Sequence, residues 1–132
     1  MGVWMIGKGD ISINPPVDEE LIKEYIQFSK RYIPEEYRDE WFPNPWFFDE
    51  NNKLRSIAGK FTEPSIWYRH IKKEFFEPRG YELEGNVEFP GDMDSEFWET
   101  CEEVDKKYRQ WKMRMDCHDI VGEGKENVIN QQ

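Results

Sequence analysis

Between Glu82 and Asp105 this chain has no lysine, arginine or histidine, although the same stretch carries ten aspartates and glutamates. A block of one sign repels itself, so it does not serve stability. Cysteine is scarce too. Cys101 and Cys117 are the only two, which excludes the disulfide framework of a small secreted scaffold. Histidine is limited to His70 and His118. The Cys117-His118 pair has no second pair at metal-ligand spacing, so a zinc site is not expected. No apolar run approaches the ~20 residues that span a bilayer. No glycine-rich phosphate loop is present, and no basic segment followed by an apolar run marks a signal peptide. These absences together predict a cytoplasmic protein with reduced thiols.

What is present is aromatic and acidic. The 132 residues suit one domain, expected over 1–121 with a flexible polar tail over 122–132. Six Trp, six Tyr and nine Phe argue for a folded chain with a compact core. The formal net charge of −10 predicts repulsion from nucleic acid and from anionic membranes. The charge is uneven: residues 54–81 and 106–132 are locally basic, and the acidic block lies between them.

Residues 3–13 read as a strand interrupted by Gly7 and Gly9, with Ile11 and Ile13 alternating against Asp10 and Ser12. Asn14-Pro15-Pro16 should stop it and start a helix, with Asn14 as cap and Pro15 at the first helical position. In that helix Val17, Leu21, Tyr25, Phe28 or Ser29, and Tyr32 form a stripe beside Ile22, Ile26 and Ile33, and Pro34 ends it. Trp46 to Phe48 and Lys53 to Ile57 read as a hairpin around Asp49-Glu50-Asn51-Asn52. A second helix is expected over 64–77 on the stripe Trp67, Ile71, Phe75. Residues 81–89 alternate Tyr81, Leu83, Val87 and Phe89 against Glu82, Glu84 and Glu88, as a half-buried antiparallel strand does. The stripe is expected to share one core with that strand, Leu21 and Tyr25. Over 95–116 two periods compete. Phe97, Cys101, Val104, Tyr108, Trp111 and Met115 fit one long helix, whereas Trp111, Met113 and Met115 alternate as in a strand. The reading favoured is a helix over 95–106 and a strand over 108–116. The whole is an α+β fold: an antiparallel sheet with two to three helices packed on it, most simply a ferredoxin-like sandwich.

Two segments carry a likeness to known sequences. They are Gly9-Asp10-Ile11-Ser12-Ile13-Asn14-Pro15-Pro16, and Gly80-Tyr81-Glu82-Leu83-Glu84-Gly85-Asn86-Val87-Glu88-Phe89 with Gly91-Asp92. The hairpin followed by Gly59-Lys60-Phe61 matches in order. The chain thereby resembles a group of small proteins of bacteria and their phages with no established activity. The resemblance implies the ferredoxin-like fold and a phage-type origin. Relative to that group, Glu96 to Lys107 stands as an insertion.

Three constellations could carry function. On a strand, alternate residues are about 6.6 Å apart, so Glu82, Glu84 and Glu88 should line one face. Glu96, Glu99 and Glu103 recur on one side of the following helix, with Asp92 and Asp94 between. Such a surface would resemble a phosphate backbone and attract a protein that grips nucleic acid through lysine and arginine. The plainer reading is a solvated face, or one paired with the basic residues Arg69, Lys72, Lys73 and Arg79. Second, Asp92, Asp94, Glu96 and Glu103 sit at calcium-loop spacing, but Phe97 replaces the required glycine, so no calcium site is expected. Third, Trp41 to Phe48 packs five aromatics into eight residues, read as core rather than a protein-binding patch. The function expected is therefore a non-enzymatic interaction protein without cofactor or metal, possessing an anionic surface for a basic, nucleic-acid-acting host protein, as a phage-encoded inhibitor would. The rival is a small-molecule or nucleotide-binding module. Its pocket would use Trp46 and Trp67, with Arg69, Lys72, Lys73 or Arg79 meeting an anion.

Overall fold

The computed structural model describes residues 5–39, 43–58, 63–89 and 95–117, with backbone alone for residues 5 and 95–101. Its strands are β1 (Met5–Ile6), β2 (Lys8–Asn14), β3 (Trp46–Phe48), β4 (Leu54–Ala58) and β5 (Glu82–Glu88). Its helices are α1 (Glu19–Arg31), α2 (Pro64–Ile71) and α3 (Ser95–Cys117). β1 and β2 act as one interrupted strand. The chain runs from Ile6 to Ile11 while its partner β4 goes only from Ile57 to Leu54. Two extra residues are therefore absorbed as a bulge around Gly7 to Asp10. Across the sheet the order is β3, β4, β2, β5, all antiparallel. This is a βαββαβ chain with the fourth strand beside the first, the ferredoxin-like arrangement expected from the sequence.

α1 starts later than the sequence suggests. Asn14 remains in β2, paired with Glu82, and the two prolines lie in the connection. The cap is Asp18, whose carboxylate accepts from the Leu21 amide at 2.8 Å. Leu21, Ile22, Tyr25, Ile26 and Ser29 are buried as the stripe predicts, whereas Tyr32 lies past the helix end and is exposed. The second helix covers the expected span, but only its first part is α-helical. From Lys72 to Phe76 it widens into a π turn, then closes as a 3-10 turn over Glu77–Arg79. The wider turn lets consecutive residues Phe75 and Phe76 both reach full burial.

The largest departure is α3. The strand expected over 108–116 does not exist, and the helix does not stop at 106. One helix runs from Ser95 to Cys117. Val104 and Trp111 are buried, Tyr108 and Met115 are partly buried against the core, and Met113 is 69% exposed. Burying Trp111 on a helix defeats the short alternation of Trp111, Met113 and Met115.

Residue pairing assigns the two faces of the sheet. Phe48 pairs with Leu54, Leu54 with Ile11, and Ile11 with Gly85. Directly opposite residues share a face, so Trp46, Phe48, Leu54, Ile11, Ile13, Leu83 and Val87 form one side. That side meets α1 and the α2 segment through Tyr25, which packs edge-on against Phe48 and Phe75. Trp67, Ile71, Phe75, Leu21 and Tyr25 are buried in this core, and Tyr81, Leu83 and Val87 pack against it half-buried. On the opposite side, α3 packs on β1, β3 and β4. There Tyr108 meets Phe47 with ring centroids 5.5 Å apart. Trp111 reaches round to Phe48 and Tyr25, joining both sides into one core. No helix among the described residues is long and apolar enough to cross a membrane.

Candidate binding face

Because α3 sits over β1, β3 and β4, no element among the described residues covers the same side of β2 and β5. The residues there are the even-numbered ones of both strands. Glu82 stands opposite Asn14, Glu84 opposite Ser12, Asn86 opposite Asp10, and Glu88 opposite Lys8. All are exposed except the half-buried Asp10. Three glutamates and an aspartate thus share an open polar surface on which Lys8 is the single base in either strand.

Two glycines allow these strands to lie so close. Gly9 and Gly85 have φ of +112° and +144°. A Cβ on Gly9 would fall 2.2 Å from the Asn86 carbonyl oxygen, and one on Gly85 would fall 2.4 Å from that of Asp10. Each needs the freedom that only glycine has at positive φ.

The acids could have been neutralised by the basic helix face, but they are not. Arg69 pairs with Glu36 at 3.0 Å, Lys72 with Glu77 at 2.5 Å and Arg79 with Glu24 at 3.2 Å. Arg79 also lies over the Phe75 ring at 4.1 Å. The Glu77 hydrogen bond pushes the Lys72 ammonium above the ordinary lysine range. Lys73 is exposed. Among the described residues, Glu82, Glu84, Glu88 and Glu103 have no ion-pair partner.

The remaining expected site residues distribute as follows. Glu103 is exposed on α3. Glu96 and Glu99 lie on the first turns of α3, whose side chains fall outside the described residues, as do Asp92 and Asp94 altogether. The backbone is helical from Ser95 onward, so the stretch from Glu96 to Glu103 is not the ion-wrapping loop that calcium requires. No cluster of metal-ligating side chains occurs among the described residues. Cys117 is exposed at the end of α3, and His118 lies outside the described residues.

Among the described residues, the tryptophans and basic side chains of the rival pocket do not share one groove. Trp67 is sealed in the core. Trp46 does line a groove of about 360 Å³, beside Tyr68 and Val87, but its lining contains no arginine or lysine. Trp46, Phe47 and Phe48 are buried core residues, and Trp41 and Phe42 lie outside the described residues.

Sequence reasoning overlooked the polar knot that fixes this end of the sheet. The buried Asn44 donates to the Tyr25 hydroxyl at 2.8 Å and to Ser29 Oγ at 2.9 Å, and accepts from the Trp46 amide at 2.9 Å. Tyr25 donates to the Trp46 carbonyl at 2.9 Å. The available signal was Ser29, a hydroxyl within an apolar stripe, which calls for a buried partner. Burial pushes the Tyr25 hydroxyl far above the ordinary tyrosine value, so it serves as a neutral bridge.

No protein-family model, curated protein or solved structure matches this chain.

Proposed function

We propose that this chain is a non-enzymatic interaction protein whose bare, acidic sheet face binds a basic protein of the kind that grips nucleic acid. As an occupant of such a nucleic-acid-binding surface it would act as an inhibitor. One observation carries the reading. Glu82, Glu84 and Glu88 share an exposed face and have no ion-pair partner among the described residues, while Arg69, Lys72 and Arg79 are engaged elsewhere. The three glutamates follow one another along β5 at two- and four-residue intervals, about 6.6 and 13 Å apart, a row of like charge of the kind a phosphate backbone presents to basic side chains. This row, offset within the two strands by Lys8 opposite Glu88, projects a field that steers a cationic partner and rejects nucleic acid itself.

The test is affinity capture from a bacterial lysate with the immobilised chain and with a triple variant, Glu82→Gln, Glu84→Gln and Glu88→Gln. Basic nucleic-acid-binding proteins should be retained at low ionic strength. They should be released as salt shortens the Debye length toward about 3 Å near 1 M, and they should be absent from the triple variant. Retention of the same proteins by both baits, indifferent to salt, refutes the proposal.

A further inference from the structure

The acidic row lies on β5, and β5 ends the sheet. Among the described residues it pairs with β2 alone, so one line of its backbone N–H and C=O groups faces outward. Such an edge is a template for another strand. The helix layer also stops short of it. Leu83 and Val87 point toward the helices yet remain only partly buried. Between α2 and β5 runs the groove of about 360 Å³, with Ile11 and Trp46 at its floor, Ser65 and Tyr68 on one wall, and Val87 and Phe89 on the other. Seen from the edge, β5 therefore offers acid on one side and an apolar trough on the other.

A strand laid against this edge would present its side chains to those two sides alternately. We propose that β5 accepts an extended basic segment of a partner protein by strand addition. Alternate lysines or arginines would meet Glu82, Glu84 and Glu88, and the intervening apolar side chains would enter the groove beside Tyr68. The charges select the occupant. A second copy of this chain, adding edge to edge, would set glutamates against glutamates, and like charges directly opposite are unfavourable. A basic strand gains what a second copy loses. Backbone pairing supplies affinity, and the two alternating sets of side chains supply specificity. This inference rests on the acidic-face reading and adds a geometry to it.

The probe is a synthetic peptide of alternating lysine and valine, equal in length to the seven residues of β5. Two analogues carry N-methyl groups, one on every lysine amide and one on every valine amide. Only one set of amides can face β5, so strand addition predicts that one analogue loses at least about tenfold in affinity while its charge is unchanged. The parent peptide should also slow hydrogen exchange at alternate amides of β5. Ser65→Trp, at an exposed rim position, should block the groove and weaken the parent without altering the circular dichroism of the chain. If all three peptides bind alike and release with salt, strand addition is overturned and the acidic-face reading survives. If none binds at low ionic strength, both fall.

Discussion

Replacing Tyr25 by Phe removes one oxygen from the centre of the molecule and leaves the ring in place. That ring is fully buried among Phe48, Phe75, Phe76 and Trp111, so apolar burial is preserved. What is lost is the bridge. The Trp46 carbonyl loses its donor at 2.9 Å, and Asn44 loses one of two acceptors. A net hydrogen bond contributes about 1 kcal/mol, and a buried group left unsatisfied costs about 1–3 kcal/mol. Because Asn44 keeps Ser29, a loss of about 2 kcal/mol is expected. At an unfolding entropy of about 2.1 cal/mol/K per residue, that lowers Tm by about 7 °C for this chain. Urea and thermal melts followed by circular dichroism measure both quantities. Ser29→Ala, which removes one contact and leaves the Tyr25–Trp46 bond, should cost less. A Tyr25→Phe variant within about 0.5 kcal/mol of the parent would show that the hydroxyl bridges nothing of consequence.

Gly85→Ala should cost about 2–4 kcal/mol, because a Cβ at positive φ would also strike the Asp10 carbonyl; faster amide exchange in β5 and a lower urea midpoint would register it. Trp111→Ala should cost about 3–5 kcal/mol, whereas Met113→Ala should stay within about 0.5 kcal/mol, and equal losses in denaturant melts would contradict a helical seat for this segment. His70 is partly buried, stacked on Phe28, with a buried Nε2 lacking a hydrogen-bond partner among the described residues. Burial lowers its pKa below the ordinary 6.5, with Glu74 and Glu36 acting in the opposite direction. The unfolded chain therefore takes up the proton first, so this contribution is present above pH 6.5 and is lost as pH falls through the depressed value. His70→Gln should flatten the slope of stability against pH in that window, and an unchanged slope would count against it.

The parts legible in the sequence are those that local chemistry decides. Tyr81 to Phe89 alternates because one side meets a core and the other meets water. Asp49 to Asn52 turns because the Asp49 carboxylate accepts from the Asn51 and Lys53 amides and Asn52 tolerates φ of +59°. The parts misread are those decided by distant partners. Trp111, Met113 and Met115 have a strand's alternation, and only the pocket formed by Tyr25 and Phe48 selects the helix. Phe76 reaches the core through a π turn that no spacing announces. The row of glutamates and its turn toward water were visible, but which neighbouring strand would share that open face was not, because that depends on α3 covering β1, β3 and β4 instead of β2 and β5.

The placement of α3 has one more consequence. At one end of the sheet β3 is three residues long, wholly buried, and flanked by Tyr108 and Trp111, with Lys107 reaching Glu50 at 3.2 Å. At the other end β5 is seven residues long and unpaired on its outer side among the described residues. A sheet open at both ends can be extended into a run of molecules. Among the described residues the two edges are unequal: the strand addition proposed above has seven residues to pair with at β5 and only three at β3, which disfavours growth into a run of molecules.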